Sequence, residues 1–317
     1  MRGALLDYDT LSRGDIDPAP LEAELDELEI FAASTPTDVP VRLAGADIAI
    51  ANKVRFDAPL LHRLDRVRLI CLAATGTDNV DLAAAQKRGI AVTNVRGYCT
   101  GAVVQHVFGL ALHLTLHLHD YRRLVAGGAW QRSGRPNLLD FPVRELAGKT
   151  FGVIGYGALG QAAGDVARAF GMRVIVAERR GAAARAGRTA FETVLAEADI
   201  LSLHCPLTDA TRGLIGAAEL ARMKPDALLI NTARGALIDT TALADALAAG
   251  RLGGAGLDVL PKEPPDDDEP LLQRDIPNLI VTPHVAWAAR EARQRVIDEI
   301  AANIHAFREG DDRNRLV

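Results

Sequence analysis

The sequence predicts an α/β protein built from two doubly wound parallel sheets, each covered by helices. Short apolar, strand-like runs alternate with helix-like segments along almost all of the 317 residues, which is the pattern of βαβ units. A long apolar helix near residue 99 begins a second series of such elements. The last helix, 289–308, returns the chain to the first series. We therefore predict a discontinuous domain, 1–98 plus 289–317, and a second domain over 99–288.

The first domain is predicted to contain five strands joined by crossover helices, an arrangement that gives a parallel sheet. Asp57 precedes one helix in the manner of an N-cap, and Gly89 ends another. The predicted strands are 4–6, 28–31, 47–51, 69–73 and 91–94, and the predicted helices are 20–27, 57–64 and 79–87.

The second domain is predicted to begin with one long helix and to continue as a regular alternation of strands and helices. The segment 127–140 is rich in Gly, Arg and Pro without periodicity and predicts a loop. Asp239 is a predicted N-cap, and Gly250 ends the same helix. The predicted strands are 150–154, 173–177, 200–204, 227–231, 254–259 and 279–282, and the predicted helices are 101–125, 158–170, 192–197, 217–223 and 240–249.

A glycine-rich turn joins strand 150–154 to the following helix and is typical of dinucleotide-binding proteins. Its first glycine permits the tight turn, its second lets the backbone approach a pyrophosphate, and its third lets the helix pack closely on the strand. The amides at the start of the helix then face the anion. The residues assigned to this cradle are Gly155, Gly157, Ala158, Leu159 and Gly160.

Glu178 ends the next strand, about 20 residues beyond the glycine turn, where an acid accepts hydrogen bonds from a ribose diol. A carboxylate there repels a 2′-phosphate and favours NAD. Arg179 and Arg180 follow directly and have the chemistry to bind that phosphate. NAD is the predicted cofactor, and NADP stays an alternative.

Charge and hydropathy narrow the class of partner. The formal net charge of −5 gives no bulk basic surface for nucleic acid. The N-terminus lacks the apolar core of a secretory signal, and polar positions interrupt the richest apolar run, 103–118. We predict a cytoplasmic protein that binds neither nucleic acid nor a membrane.

No metal site or disulfide framework is predicted. Three cysteines are too few and too scattered for either, and they are typical of buried thiols. Three histidines share a helical face, but no carboxylate or thiol nearby completes a ligand set. These residues are Cys71, Cys99 and Cys205, and His106, His113 and His117.

Three charged residues follow three separate strands of the second domain. Arg234 follows LLINT, Glu263 lies in the loop after GLDV, and His284 follows LIVT. Ligands of open α/β sheets bind beyond the carboxyl ends of the strands. A fixed cation, an acid–base and a carboxylate that orients it are what hydride transfer to a 2-keto acid requires.

The chain resembles the D-isomer-specific 2-hydroxyacid dehydrogenases over nearly its whole length. The resemblance rests on GYGALG, HCPLTDATRGLI, INTARGALID, GLDVLPKEP and TPHVAWAA, which stand in the family's order and spacing. It implies two Rossmann-like domains, the discontinuous one being flavodoxin-like and binding substrate. It also implies that Arg234 orients the substrate, that His284 donates and accepts the proton, and that Glu263 holds His284 and favours its protonated form.

The resemblance assigns further residues to cofactor and substrate. Asp258 matches the family's carboxamide-binding aspartate, and four residues match positions that line the cofactor channel. The loop after strand 69–73 resembles the family's substrate-carboxylate loop, in which backbone N–H groups face the anion. Two residues that end strand 47–51 are additional substrate candidates. These sets are Cys205, Pro206, Thr211 and Ala233 for the channel, Ala74, Thr75 and Gly76 for the loop, and Asn52 and Lys53 for the strand end.

Within the family, the stretch TNVRGYCTGAVVQHVFGLAL is most similar to the glycerate dehydrogenase and hydroxypyruvate reductase branch. Arg96 and Gly101 depart from that branch, and glyoxylate is a second expected substrate. The alternatives are a short phosphoglycerate dehydrogenase and an NAD-sensing binding protein on the same fold. The resemblance also implies a homodimer, with contacts from the helix at Gly101 and the loop around Trp130, although Trp130 is equally compatible with a core position.

Overall fold

The computed structural model describes residues 1–273 and 275–317. The chain divides into two compact units. Unit 1 comprises Met1–Cys99 and Trp287–Val317, and unit 2 comprises Thr100–Ala286. The crossings predicted from the sequence, after residue 98 and before residue 289, lie within two residues of these divisions.

Unit 1 contains a five-stranded parallel sheet with the order β2-β1-β3-β4-β5. Its strands β3 to β5 are buried along their whole length, as expected when helices cover both faces of a parallel sheet. The elements are β1 Arg2–Leu5, α1 Ala19–Ala23, β2 Glu27–Ile30, α2 Asp38–Arg42, β3 Ile48–Ala51, α3 Ala58–Leu61, β4 Leu69–Leu72, α4 Leu82–Lys87 and β5 Ala91–Thr93.

Helix prediction in unit 1 misses α2, extends the helix over 57–64 three residues too far, and is wrong at the bounds of two other helices. The helix predicted over 20–27 stops at Ala23, because Glu27 already pairs with Arg2 in the edge strand. The helix predicted from residue 79 begins later, because Asp81 caps it through the backbone N–H of Ala84 at 2.9 Å. Asp57 is an N-cap as predicted, accepting a hydrogen bond from the backbone N–H of Leu60 at 3.0 Å.

Unit 2 contains a six-stranded parallel sheet with the order β11-β10-β9-β8-β6-β7. The predicted fold class, two doubly wound parallel sheets, is confirmed. The elements are α5 Thr100–Leu116, α6 Leu118–Ala126, α7 Ala129–Ser133, β6 Thr150–Ile154, α8 Ala158–Ala169, β7 Arg173–Val176, α9 Phe191–Glu197, β8 Ile200–Leu203, α10 Ala217–Leu220, β9 Leu228–Asn231, α11 Thr240–Ala248, β10 Gly254–Leu257 and β11 Leu279–Val281.

The core of unit 2 lies on both faces of this sheet. Successive side chains of a strand point to opposite faces, so Leu229 packs in the cluster that contains α9 and α11. Leu228 and Ile230 pack instead in the cluster that contains α5 and α8.

In unit 1 the last helix, α12 (Arg290–Glu309), lies against β4 and α1.

The long helix predicted over 101–125 is two helices. His117 has a φ of 51°, in the left-handed region, and this residue interrupts the helix between α5 and α6. The axes of the two helices differ in direction by 57°. The segment predicted as a loop over 127–140 contains α7. Among the described residues no single helix is long and apolar enough to cross a membrane, and only the bent pair α5 and α6 meets those criteria of length and composition.

The strand order of unit 2 reverses between β6 and β8. In open α/β sheets such a reversal creates a crevice at the carboxyl edge, because the crossover connections leave towards opposite faces. The turn after β6 and the residues after β8, β9 and β10 all lie at this edge. The fold therefore gathers most of the predicted site residues of unit 2 at one place.

Candidate active site

The glycine turn after β6 has the geometry that the three predicted roles require. Gly155 has a φ of +90°, and a Cβ there would lie 2.4 Å from the backbone N of Cys205. A Cβ on Gly160 would lie 2.1 Å from the carbonyl oxygen of Gly155. A Cβ on Gly157 would meet nothing within 4 Å. The turn is thus tightly packed on its inner side and open at Gly157.

The N-terminus of α8 begins at this open position. Gly157 has no side chain to cap the helix, and the first intrahelical bond runs from the N–H of Gln161 to the oxygen of Gly157 at 2.9 Å. The earlier amides, those of residues 158–160, are the positive end of a 12-residue helix. A pyrophosphate fits this cradle by charge and by the space that Gly157 leaves.

Glu178 follows β7 and is buried, with 3% of its side chain exposed. One carboxylate oxygen accepts hydrogen bonds from Arg185 Nη2 and the backbone N–H of Arg179, both at 2.9 Å. The other accepts from Arg185 Nε at 2.6 Å. These bonds, chiefly those from Arg185, lower the pKa of Glu178 to about 2, so the group is ionised and paired.

The two arginines expected to compete for a 2′-phosphate differ: the side chain of Arg180 has a partner, and that of Arg179 is exposed. Arg180 forms an ion pair with Glu219 at 2.8 Å. Arg179 contacts Glu178 through its backbone N–H. The arginine whose side chain does engage Glu178 is Arg185, which sequence analysis missed. The only indication of Arg185 in the sequence is that the loop after β7 is rich in arginine.

The loop after β8, which carries three of the residues predicted to line the cofactor channel, is held together by hydrogen bonds of its own. The hydroxyl of Thr211 donates to the oxygen of Pro206 at 2.7 Å and accepts from the N–H of Thr208 at 2.7 Å. Cys205 is half-buried and packs on the α9–α11 side of the core, and burial raises the pKa of its thiol. Thr211 therefore shapes this loop through its side chain.

Two polar atoms at the ends of β8 and β9 are buried without a hydrogen-bond partner within the described part of the chain, His204 Nδ1 and Thr232 Oγ1. His204 Nε2 lies 2.9 Å from the Ser202 hydroxyl. Burial lowers the pKa of His204 to about 4, so the imidazole is neutral at physiological pH.

Arg234 lies in the turn after β9, and the backbone of this turn packs against the backbone of the turn after β10. A Cβ on Gly235 would lie 1.9 Å from the carbonyl carbon of Leu260, so only glycine allows the two turns to approach this closely. Buried Asn231 donates to the oxygen of Arg234 at 2.9 Å and accepts from the N–H of Ala233 at 3.0 Å. The cation is thereby held beside the loop that carries Glu263.

Glu263 and His284 form a direct pair. His284 Nδ1 lies 2.5 Å from Glu263 Oε2, and the other oxygen of Glu263 accepts from the N–H of Leu260 at 3.1 Å. About a third of each side chain is exposed, 31% for His284 and 36% for Glu263. With Nδ1 facing the carboxylate, proton transfer to a substrate would use the other ring nitrogen, Nε2.

Asp258 anchors the loop that carries His284. Its side chain is 1% exposed. It accepts hydrogen bonds from the Thr282 hydroxyl at 2.5 Å and from the backbone N–H groups of Val285 and Ala286 at 2.9 and 2.8 Å. The structure thus gives Asp258 an internal role, and its contact with a carboxamide stays a prediction.

The anchored loop holds His284 in an unusual conformation. Its φ is 55°, in the left-handed region, which costs a residue with a Cβ roughly 1 to 3 kcal/mol. The N–H of His284 donates to the backbone oxygen of Asp258 at 2.8 Å. His106 Nε2 lies 2.9 Å from the hydroxyl of Thr282 and 3.5 Å from Oδ1 of Asp258. Thr282 and His106 are supporting residues that the motifs alone did not indicate.

In unit 1 the loop after β4 leaves backbone donors exposed. The Thr75 hydroxyl donates to the oxygen of Val95 at 2.7 Å, and Asn94 Nδ2 donates to the Thr75 oxygen at 2.8 Å, which fixes the loop. Ala74 accepts from the N–H of Val95 at 3.2 Å. Within the described residues, the N–H groups of Thr75 and Gly76 donate to no protein acceptor. Both are available to an anion.

The end of β3 is organised by Asp7, which the sequence did not single out. Its carboxylate accepts from the backbone N–H groups of Asn52, Lys53 and Val54 at 2.6 to 3.2 Å. The side chain of Asn52 is buried and donates to the Thr10 hydroxyl at 2.9 Å. Asn52 therefore serves the fold, whereas the side chain of Lys53 is exposed.

The described residues contain no group of three or more His, Cys, Asp or Glu that could hold a metal ion. The helical face of His106, His113 and His117 is interrupted by the break at His117, whose Nδ1 lies 3.1 Å from Asp120. Cys71, Cys99 and Cys205 are free.

Comparison with known proteins identifies the family. Residues 108–286 match the model of the D-isomer specific 2-hydroxyacid dehydrogenase, NAD binding domain. The chain belongs to this family. It is an NAD-linked oxidoreductase that acts on the CH–OH group of a small 2-hydroxy acid.

Similar proteins lie within the same family or share its fold. The chain is 45% identical over 280 residues to the glycerate dehydrogenase of Methylorubrum extorquens, covering 88% of each protein. It is 35% identical over 321 residues to the hydroxypyruvate reductase of Blautia hydrogenotrophica, covering 99% of each. The solved structure of the acyclic imino acid reductase Bsp5 with NADPH and D-Arg is 28% identical, with a TM-score of 0.86 and full coverage of both chains.

Two glycine substitutions in the turn after β6 are expected to separate NADH binding from folding stability. Gly157→Ala lowers the free energy of unfolding by less than about 1 kcal/mol, because its Cβ meets nothing and only the N-cap preference for Gly over Ala is lost, but weakens binding of NADH by filling the space beside the helix N-terminus. Gly160→Ala lowers the free energy of unfolding by about 1 to 3 kcal/mol through overpacking against Gly155. Urea unfolding and titration of NADH fluorescence measure the two effects. Equal loss of stability in both variants would contradict this division of roles.

Proposed function

We propose that this protein reduces hydroxypyruvate and glyoxylate with NADH and catalyses the reverse oxidation of D-glycerate. The observation that carries the proposal is the assembly of Arg234, Glu263 and His284 on the same sheet edge as the dinucleotide cradle. The similarity to a glycerate dehydrogenase and to a hydroxypyruvate reductase supports the substrate class.

Each of the three residues has a separate role in the proposed reaction. When bound, the nicotinamide supplies the hydride for reduction and accepts it in oxidation. His284 gives the proton on Nε2 to the carbonyl oxygen as that oxygen becomes an alkoxide, and takes it back in oxidation. Glu263 orients the ring through Nδ1 and stabilises the protonated imidazole. Arg234 stabilises the developing negative charge on the same oxygen and binds the substrate carboxylate.

The loop after β4 is the proposed second ligand of the substrate carboxylate. Thr75 and Gly76 offer backbone N–H groups, which suit an anion without adding a side-chain charge. Ala74 contributes by continuing this turn. Lys53 is exposed and adds a positive charge to unit 1. The side chain of Asn52 is buried and supports the strand end, and its contact with substrate stays a prediction.

For the cofactor, the proposed pyrophosphate ligands are the backbone amides at the start of α8. Glu178 is the proposed partner of the adenosine ribose. The remaining cofactor candidates lie at the carboxyl ends of β8 to β10, and their direct contacts stay predictions. They are Cys205, Pro206, Thr211, Ala233 and Asp258.

The NAD-sensing and phosphoglycerate alternatives are not favoured. A sensing protein has no need of the acid–base pair, which is complete here in Glu263 and His284. Oxidation of phosphoglycerate requires recognition of a phosphoryl group, whereas the glycerate dehydrogenase and the hydroxypyruvate reductase to which the chain is similar are named for unphosphorylated acids.

We also propose a homodimer formed through the segment 118–143. Trp130 is 45% exposed, which argues against the core position that the sequence left open. Several large apolar side chains of the same segment are exposed, and contiguous exposed apolar surface marks association sites. They are Leu118, Val125, Trp130, Leu139 and Val143. A cytoplasmic location stays a prediction from the sequence.

Initial rates of NADH oxidation with a panel of 2-keto acids test the substrate. We expect the highest kcat/KM with hydroxypyruvate, then glyoxylate, and much lower values with pyruvate, oxaloacetate and a branched 2-keto acid. Tight NADH binding without turnover of any of these acids would contradict the proposed reaction and support a sensing role.

Replacement of the acid–base pair tests the mechanism. His284→Ala lowers kcat by roughly 10²- to 10⁴-fold, the usual contribution of a positioned acid–base, and leaves NADH affinity unchanged because the cradle is intact. Arg234→Ala raises KM and lowers kcat together, because it removes both binding and charge stabilisation. Steady-state kinetics separate the two patterns. Near-normal kcat in the His284 variant would exclude it as the proton donor.

A further inference from the structure

The carboxylate of Glu178 is already engaged by a side chain of its own domain. Arg185 donates to both oxygens of Glu178, through Nε at 2.6 Å and Nη2 at 2.9 Å. This two-point geometry is the strongest form of an arginine–carboxylate pair. The acid that is expected to exclude a 2′-phosphate is therefore neutralised by an arginine seven residues further along the chain.

The loop that carries Arg185 is tied back to the sheet. The N–H of Glu178 donates to the oxygen of Thr189, and the N–H of Thr189 donates to the oxygen of Val176, both at 2.8 Å. The residues between them leave the strand end and return to it. Arg185 is thus held on Glu178 by the path of the loop as well as by the ion pair.

The arginines of this loop have different partners. Arg180 pairs with Glu219 at 2.8 Å, and the guanidinium of Arg188 lies 5.2 Å from the ring centre of Tyr156. Arg185 is the one whose guanidinium bonds to Glu178. Its side chain is 70% exposed, and Glu178 uses two of the five N–H donors of a guanidinium. Donors are left for a second anion.

The pairing still leaves Glu178 able to contact a ribose. Four hydrogen bonds reach its carboxylate: three of 2.6 to 2.9 Å from Arg179 N and from two side-chain atoms of Arg185, and a longer one of 3.5 Å from the backbone N–H of Arg185. An ionised carboxylate offers about four acceptor positions. One ribose hydroxyl can therefore share Glu178 with the Arg185 side chain by taking the position of the long contact from the Arg185 N–H.

We propose that Arg185 is a specificity-determining residue that makes the adenosine end of this site tolerant of a 2′-phosphate, so that NADP(H) binds as well as NAD(H). Arg185 neutralises Glu178 and donates its remaining N–H groups to the phosphate, while Glu178 keeps its contact with the ribose of NAD. The proposal rests on the dinucleotide site of the proposed function and extends it to a second cofactor.

Binding of the two adenosine halves, without hydride transfer, tests this role. Calorimetric titration of the wild-type protein with ADP-ribose and with ADP-ribose 2′-phosphate should give dissociation constants within about tenfold of one another. Arg185→Ala should weaken the 2′-phosphate compound by roughly tenfold or more, because it removes a charge-assisted bond and exposes the charge of Glu178. Affinity for ADP-ribose should change by less than about threefold.

A matched control and a second variant separate the effect from loop damage. Arg173→Ala breaks an exposed ion pair with Glu197, 2.7 Å long, at the opposite end of β7 and should alter neither affinity. Glu178→Gln removes the repulsive charge, so Arg185→Ala in that background should weaken the 2′-phosphate compound less than it does alone.

The titrations distinguish a wrong role for Arg185 from a wrong assignment of the dinucleotide site. If Arg185→Ala weakens both compounds equally or neither of them, Arg185 has no part in selectivity and the inference is wrong. A wild-type protein that prefers ADP-ribose by more than about a hundredfold would also contradict it. If the wild-type protein binds neither compound, the dinucleotide site of the proposed function is itself wrong.

Discussion

The buried carboxylate of Asp258 is the group on which the arrangement of the site depends. A buried charge is costly unless donors surround it, and here Thr282, Val285 and Ala286 supply them. Those donors lie on either side of His284, so the same bonds that satisfy the charge hold the histidine at a φ of 55°. The position of the proton donor is therefore a consequence of satisfying Asp258, and Glu263 then sets the orientation of the imidazole ring.

The second constraint is the parallel sheet of unit 2. Parallel strands place all their carboxyl ends at one edge, and the reversal of order between β6 and β8 opens a crevice there. Close packing at that edge depends on glycine. Gly155 allows the turn after β6 to touch the end of β8, and Gly235 allows the turn after β9 to touch the one after β10. Residues 80 positions apart in the chain, such as those around 155 and 235, thus become parts of one site.

Motifs with fixed spacing were predictable from the sequence, and contacts between distant residues were not. The glycine turn and the strand ends carrying Arg234 and His284 follow from local pattern, because turn and strand geometry depend on nearby residues. The pairing of Arg185 with Glu178 depends on the path of a loop without periodicity. The break at His117 and the early end of α1 likewise reflect tertiary packing that overrides helical propensity.

The arrangement of the site fixes the configuration of the product. One proton donor at a fixed position, with one cation beside it, accepts the substrate carbonyl in a single orientation, so the hydride adds to one face. Chiral chromatography of the glycerate formed from hydroxypyruvate and NADH measures which face that is. We expect D-glycerate alone. L-glycerate or a racemic product would contradict the assignment of this site to D-specific 2-hydroxy acid chemistry.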